Sequence, residues 1–373
     1  MATITYKCPN CGGGLVFDPE TQKFKCEFCL SEFTQAELDK LQKAGASDQV
    51  IKEDYGTYDA PDEASAGQGG SAQGAGAQEK SAQGMVVYTC PSCGAEIVTE
   101  ATTAATSCYY CHNPIVLEGR VSGKFLPDRI IPFQYNKKEA TDRFLKYVRK
   151  KKYVPRAFFN EQQIEKLTGV YYPFWVYDCE VEGEIEGSGT KVRVWRSGNY
   201  EYTETSIYRI ERGGKVHVQN VTRNALKEGD RNLIDAVRPF RIAEATDFSM
   251  PYLQGFVAEK RDIESEEVSE ELQKTAHDYA VQAMVDTTGE YSSVTPSLDT
   301  LHPVKESWQY LLLPVWLLTY GASSGQNYYY AMNGQTGEIK GKLPLSMGKL
   351  AAHSAILGGC LAAACLLLSY FVL

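Results

Sequence analysis

The chain of 373 residues has little of what the familiar enzyme chemistries need. Its five histidines, His112, His217, His277, His302 and His353, are scattered. No G-x-S-x-G, H-E-x-x-H or G-x-x-x-x-G-K-[ST] occurs in it. Gly187-Ser188-Gly189-Thr190-Lys191 lacks the phosphate-loop spacing, and Gly341-Lys342 and Gly348-Lys349 are each followed by Leu. A phosphate-loop enzyme is therefore not expected, and the chain reads as non-catalytic. Positive charge is also short. Lys and Arg number 38 against 47 Asp and Glu, a formal net charge of -9, the wrong sign for a protein whose whole surface embraces phosphate backbones. A mean hydropathy of -0.33 excludes a polytopic membrane protein. Residues 1–7 have neither a charged n-region nor an apolar h-region, so no secretory signal is expected. The thiols should then be reduced, in a cytoplasmic setting.

Cysteine, by contrast, is plentiful and ordered. Of eleven, the first eight fall into four Cys-x-x-Cys pairs: Cys8 and Cys11, Cys26 and Cys29, Cys90 and Cys93, Cys108 and Cys111. CPNCG at 8–12 is answered by CPSCG at 90–94, and in both modules fourteen residues precede the second pair, which makes an internal repeat. Four thiolates from two such turns close a tetrahedral shell, the arrangement Zn²⁺ accepts in structural modules. Two zinc ions per chain are expected, with those eight cysteines as ligands; spacing alone leaves a rubredoxin-like iron as the alternative. Gly12 and Gly94 follow the second Cys of their knuckles, where a residue without Cβ eases the turn. His112 would be a fifth donor at a full site and is read as a surface residue. Cys179, on the apolar face of a strand, is read as an inert buried thiol.

The rest of the chain reads as α+β: two small zinc ribbons, a flexible linker, an antiparallel α+β core and one C-terminal transmembrane helix. Residues 1–55 form the first ribbon with a helical stretch, 56–84 a disordered Gly/Ala/Ser/Gln linker, 85–120 the second ribbon, 121–345 the core and 350–373 the membrane helix. Within the core, Ala140, Phe144, Tyr147 and Val148 make one apolar stripe of a helix over 136–152. Over 171–186, Trp175, Tyr177, Cys179, Val181 and Ile185 alternate with Asp178, Glu180, Glu182, Glu184 and Glu186, a half-buried strand. Gly187-Ser188-Gly189 is expected to turn it into a second strand whose Lys191 and Arg193 face the acidic side, and Gly213-Gly214 to make another turn. Val268, Leu272, Ala276, Ala280 and Met284 place a helix over 265–285, and 308–343 form a second meander. Tyr328, Tyr329 and Tyr330, like Tyr171, Tyr172 and Trp175, read as packing rather than as a stacking platform for bases.

Residues 350–373 carry no charge, and as a helix would reach about 36 Å, enough to cross a bilayer core of about 30 Å. Lys340, Lys342 and Lys349 precede them and no Lys or Arg follows, so a single-pass tail anchor at the cell membrane with its N-terminal bulk in the cytoplasm is expected. Ala351, Ala355, Gly359 and Ala363 recur at every fourth position, a stripe compatible with a homodimer through this helix. Residues 137–156 hold nine positive and two negative charges, net +7, and read as a solvated face, a surface for anionic headgroups or one for nucleic acid.

The two cysteine repeats resemble the zinc ribbons of the general transcription factor IIB type and the knuckles of the primosomal replication-restart helicase. With Ile131-Pro132-Phe133, Tyr172-Pro173-Phe174-Trp175, Pro314-Val315-Trp316 and Asn333-Gly-Gln-Thr-Gly-Glu, the chain resembles, over nearly its whole length, a family of uncharacterised bacterial zinc-ribbon proteins often labelled after those two. Likeness to the helicase stops at the knuckles. The expected function is a tail-anchored membrane protein whose ribbons dock a protein partner at the cytoplasmic face. The alternative is a nucleic-acid-binding protein, associated with replication or transcription, tethered to the membrane.

Overall fold

The computed structural model describes residues 3–4, 7–44, 85–89, 96–100, 102–108, 114–117, 123–155, 167–227, 231–321, 327–341, 343 and 345–372. The expected linker, Cys90, Cys93, Cys111, His112, Gly94 and Arg156 lie outside them. The architecture is mixed α+β with one dominant sheet. Its N-terminal part holds β1 (Thr3–Ile4), β2 (Leu15–Asp18), β3 (Lys23–Cys26), β4 (Glu32–Phe33) and the helix Gln35–Ala44. After them come β5 (Met85–Thr89) and β6 (Glu96–Glu100), paired with each other, then β7 (Thr103–Ser107), β8 (Pro114–Leu117) and β9 (Arg129–Ile130). Two long strands follow the helix Lys137–Arg149: β10 (Thr168–Ser197) and β11 (Tyr200–Asn224). Short β12 (Thr246–Asp247) and β13 (Val257–Glu259) lead to the helix Ser265–Asp286, and β14 (Ser293–Asp299), β15 (His302–Gly321), β16 (Asn327–Asn333) and β17 (Ile339–Gly341) complete the sheet. Among the described residues twelve strands join in the order β1-β8-β7-β13-β10-β15-β16-β17, with β11 and β14 also along β10, β9 beside β15 and β12 beside β9.

The pattern of β10 explains its two halves. Over Val170–Val176 nearly every side chain is buried, because the sheet is covered on both faces there. Tyr171 and Trp175 join one apolar cluster with the stripe of the helix Ser265–Asp286, while Phe174 and Val176 join another with Ile234, Val237, Phe240 and Ile242. Further along only one face is covered. Tyr177, Cys179, Val181 and Ile185 are buried, and the intervening acids meet cations of β11: Lys215 lies 3.2 Å from Glu182, and Arg209 2.9 Å from Glu186. The helix stripe is the expected one, Val268, Leu272, Ala276, Ala280 and Met284, all buried. Each larger member contributes about 1.5–3 kcal/mol by leaving water.

Two expected turns are absent. β10 runs straight through Gly187-Ser188-Gly189 and β11 through Gly213-Gly214, and the chain reverses only at Gly198-Asn199. Lys191 and Arg193 therefore face Ser206 and Glu204, and Lys191 pairs with Glu290 at 2.8 Å rather than with the acidic face of β10. Glycine at 187 serves clearance: a Cβ there would lie 2.4 Å from the carbonyl oxygen of Thr295 in β14.

The cysteine module is packed on this sheet. Leu15, Phe17, Phe24, Cys26 and Leu38 share the cluster that contains Phe133, Tyr171 and Phe256. The rings of Phe17 and Phe24 stand 5.1 and 5.4 Å from that of Tyr252, the Phe17 amide donates to the Gln254 carbonyl at 3.3 Å, and the Gln22 side chain donates to the Phe133 carbonyl at 2.8 Å. β1 pairs with β8, Thr3 opposite Leu117 and Ile4 opposite Val116. These contacts hold the first module, expected at the end of a flexible linker, against the main sheet.

At the other end, the helix Met347–Val372 begins three residues before the expected membrane segment. Its 26 residues reach about 39 Å. Within Met347–Leu368 an 18-residue stretch has a mean hydropathy of 1.9 and none of it is buried in the protein, so one helix among the described residues is long and apolar enough to cross a membrane.

Candidate metal centre

Two similar turns carry the first four cysteines. In the first, the Gly12 amide donates to the Cys8 carbonyl at 2.8 Å and the Cys8 amide to the Gly13 carbonyl at 2.6 Å. In the second, the Leu30 amide donates to the Cys26 carbonyl at 3.0 Å and the Cys26 amide to the Ser31 carbonyl at 2.9 Å. Such turns need a left-handed residue directly after their second Cys. Gly12 supplies it at φ 74°, without steric cost. Leu30 supplies it at φ 60°, where an L side chain costs about 1–2 kcal/mol. A hydrogen bond from Asn10 Nδ2 to Ser31 Oγ at 2.9 Å ties the two turns together.

The four sulfurs then converge. Cys8 Sγ lies 3.5 Å from Cys29 Sγ, Cys11 Sγ lies 3.5 Å from Cys26 Sγ, and all four fall within 4.8 Å of one another. A tetrahedral ion with metal–sulfur bonds of about 2.3 Å would set sulfur pairs about 3.8 Å apart, so the cage is the right size. Cys8 and Cys26 are buried while Cys11 and Cys29 are exposed. Burial pushes the Cys8 thiol up. The Gly13 amide draws Cys11 down, but its hydrogen bonds with Cys29 and Cys26 outweigh that and push it up to about 12. The Ser31 hydroxyl and amide hold Cys29 down to about 6. Four sulfurs this close cannot all ionise alone, because the thiolates repel one another. A divalent cation among them would offset two of those four charges and screen the rest from one another, and a shell of four sulfurs leaves no position for substrate. The donor set fits a structural metal.

Of the second expected set only Cys108 is described; it is fully buried beside Tyr88, Ile115 and Leu117. It lines a cleft of about 660 Å³ together with Lys25 and Glu27 of the first module. Among the described residues no other group of His, Cys, Asp or Glu gathers at metal-binding distance. The histidines stay apart: His277 Nε2 meets Asp299 at 2.8 Å, His302 Nδ1 meets the Thr300 carbonyl at 3.1 Å, and His217 lies 3.7 Å from Glu180. Cys179 is buried and its thiol is pushed up by that burial, which suits an inert side chain and not a nucleophile. Tyr330 packs against Phe144 with ring centroids 4.5 Å apart, as expected of packing. The Asn333 motif is a buried latch: its side-chain amide donates to the Val237 and Pro239 carbonyls at 2.9 and 3.2 Å, and its oxygen accepts the amides of Gln335 and Thr336 at 2.8 and 2.9 Å.

An alignment with the Uncharacterized protein YdjG of Bacillus subtilis (strain 168) shows 32% identity over 358 residues, 95% of each chain. The chain belongs to the YdjG family. No family model and no solved structure matches it.

Spacing alone did not single out Phe28 and Leu30, which the second turn holds 78% and 66% exposed beside the sulfurs. A signal was present in the comparison of CPNCG with CEFCL, where the repeat replaces Pro and Asn by Glu and Phe, and the turn glycine by Leu.

Proposed function

We propose that this protein is a membrane-anchored adaptor in which a zinc-bound cysteine ribbon docks a protein partner. Cys8, Cys11, Cys26 and Cys29 would hold the first zinc, which would supply a crosslink and offset two of the four thiolate charges. Cys90, Cys93, Cys108 and Cys111 would hold the second. The helix Met347–Val372 would cross the membrane with the remainder in the cytoplasm, a reading favoured by its unburied apolar surface.

The observation that carries the docking reading is Leu30. An exposed apolar side chain held in a strained backbone is costly twice over, and such strain concentrates at sites of recognition. Phe28 beside it adds a large ring, so the rigid turn offers two apolar anchors to a complementary pocket. The test is a photo-crosslinking residue at position 28 of the full chain, activated in cells. A discrete protein adduct is expected that disappears in Cys26→Ser and in Leu30→Asp; adducts to nucleic acid, or none, would overturn the reading.

A further inference from the structure

Two segments 195 residues apart meet where the C-terminal helix begins. The Ser346 amide donates to the Tyr153 carbonyl at 2.7 Å and Lys349 Nζ to the Val154 carbonyl at 2.8 Å. The rings of Tyr153 and His353 meet edge-on at 5.7 Å. Tyr153 and Val154 lie just beyond the helix Lys137–Arg149, so Arg149, Lys150, Lys151 and Lys152 stand beside the foot of the apolar helix. All four are exposed, as is Lys146 one turn earlier, and no ion pair joins any of the five to a carboxylate among the described residues. Lys151 lies over the ring of Tyr147, at 5.0 Å. Residues 146–155 contain five cations and no Asp or Glu. Solvated helix faces usually mix signs, as the first half of this same helix does with Glu139 and Asp142.

A cluster of one sign with no carboxylate partner among the described residues fits a polyanion, and its position decides which. Leu345 and Met347, 65% and 70% exposed, lead directly into the apolar helix at the same level. A bilayer that receives this helix therefore brings its headgroup layer to the cations, with Tyr153 at the depth where tyrosine rings prefer to lie. We infer that Lys146, Arg149, Lys150, Lys151 and Lys152 form a binding surface for the headgroups of anionic phospholipids around the foot of the helix. This rests on the membrane reading above.

The test uses the full-length protein reconstituted into vesicles of phosphatidylcholine, alone or mixed with phosphatidylglycerol. Flotation reports incorporation, and native mass spectrometry reports the lipids that stay bound on gentle extraction. Each cation at an anionic surface is worth about five-fold in binding. Phosphatidylglycerol should therefore be enriched about tenfold or more over its bulk proportion, and high salt should erode the enrichment. The variant Arg149→Gln, Lys150→Gln, Lys151→Gln, Lys152→Gln should float equally well and lose the enrichment. Exchange of the same positions between Lys and Arg should retain it, because charge and not residue identity carries the binding. Incorporation of the native chain without enrichment overturns the headgroup surface and leaves the membrane reading standing; failure to incorporate overturns both. An oligonucleotide captured by native protein in neutral vesicles, lost in the Gln variant and unaccompanied by lipid enrichment, assigns the cluster to nucleic acid and likewise overturns it.

Discussion

Leu30 occupies the position that Gly12 fills in the other turn, and the substitution between them separates stability from recognition. Leu30→Gly relieves about 1–2 kcal/mol of left-handed strain and adds about 0.5–1 kcal/mol of backbone entropy cost. Because the side chain is mostly exposed, little burial is lost. Thermal unfolding of the variant should stay level or rise by a few degrees, while the adduct formed from position 28 declines. A fall in both would make Leu30 a packing residue. Cys26 is different, since its sulfur is buried inside the cage. Cys26→Ser should lower the metal content by one ion per chain, read by elemental analysis, with zinc and not iron as the metal that remains. Phe24, fully buried against Phe17 and Tyr252, tests the seat of the module: Phe24→Ala should cost about 3–5 kcal/mol, measured by denaturant unfolding.

Among the elements, those with a clean period could be read from the residues alone. The five-residue stripe of the helix Ser265–Asp286 and the alternation from Tyr177 to Ile185 specify a buried face by themselves, because period and burial are the same fact. The first cysteine cage was legible for a similar reason, because the Cys-x-x-Cys spacing sets the turn, while of the second expected set only Cys108 lies among the described residues. Gly187 was misread as a turn because glycine marks either a reversal or a close approach, and which one applies depends on β14, more than a hundred residues further along the chain. The seating of the module on Tyr252 and Gln254 was hidden likewise, since no local pattern records a contact between residue 17 and residue 254. Gly187→Ala therefore becomes an element-scale test. Its new methyl meets backbone, which cannot rotate aside, so the β10–β14 pairing should open at a cost of about 1–3 kcal/mol. Amide exchange should accelerate over Ser293–Asp299 and remain slow in β11 opposite Gly187. Retained protection in β14 would mean that the sheet absorbs the methyl by bending.

For the molecule as a whole, the cluster that Cys8 and Cys26 share with the core would make the proposed metal and the core interdependent. A chelator should lower the melting of the entire chain in one cooperative transition, read by calorimetry, rather than melt a separate small unit ahead of an unchanged core. The long strands carry one more consequence, for the order in which the protein assembles. β10 and β11 join through a two-residue reversal, so their ladder closes by local steps, whereas β15 reaches β10 across separations such as Thr168 to Leu317. Closing that larger loop costs entropy before any contact repays it, and topologies rich in such pairings fold slowly. The ribbon of β10 and β11 should form first as a template, with β15 annealing onto its open edge as the slow event. Pulse-labelled exchange during refolding should find β11 protected while His302–Gly321 still exchanges. Until that edge is filled, the chain presents a long row of unpaired backbone groups, the state most exposed to self-association, so refolding yield should fall as protein concentration rises.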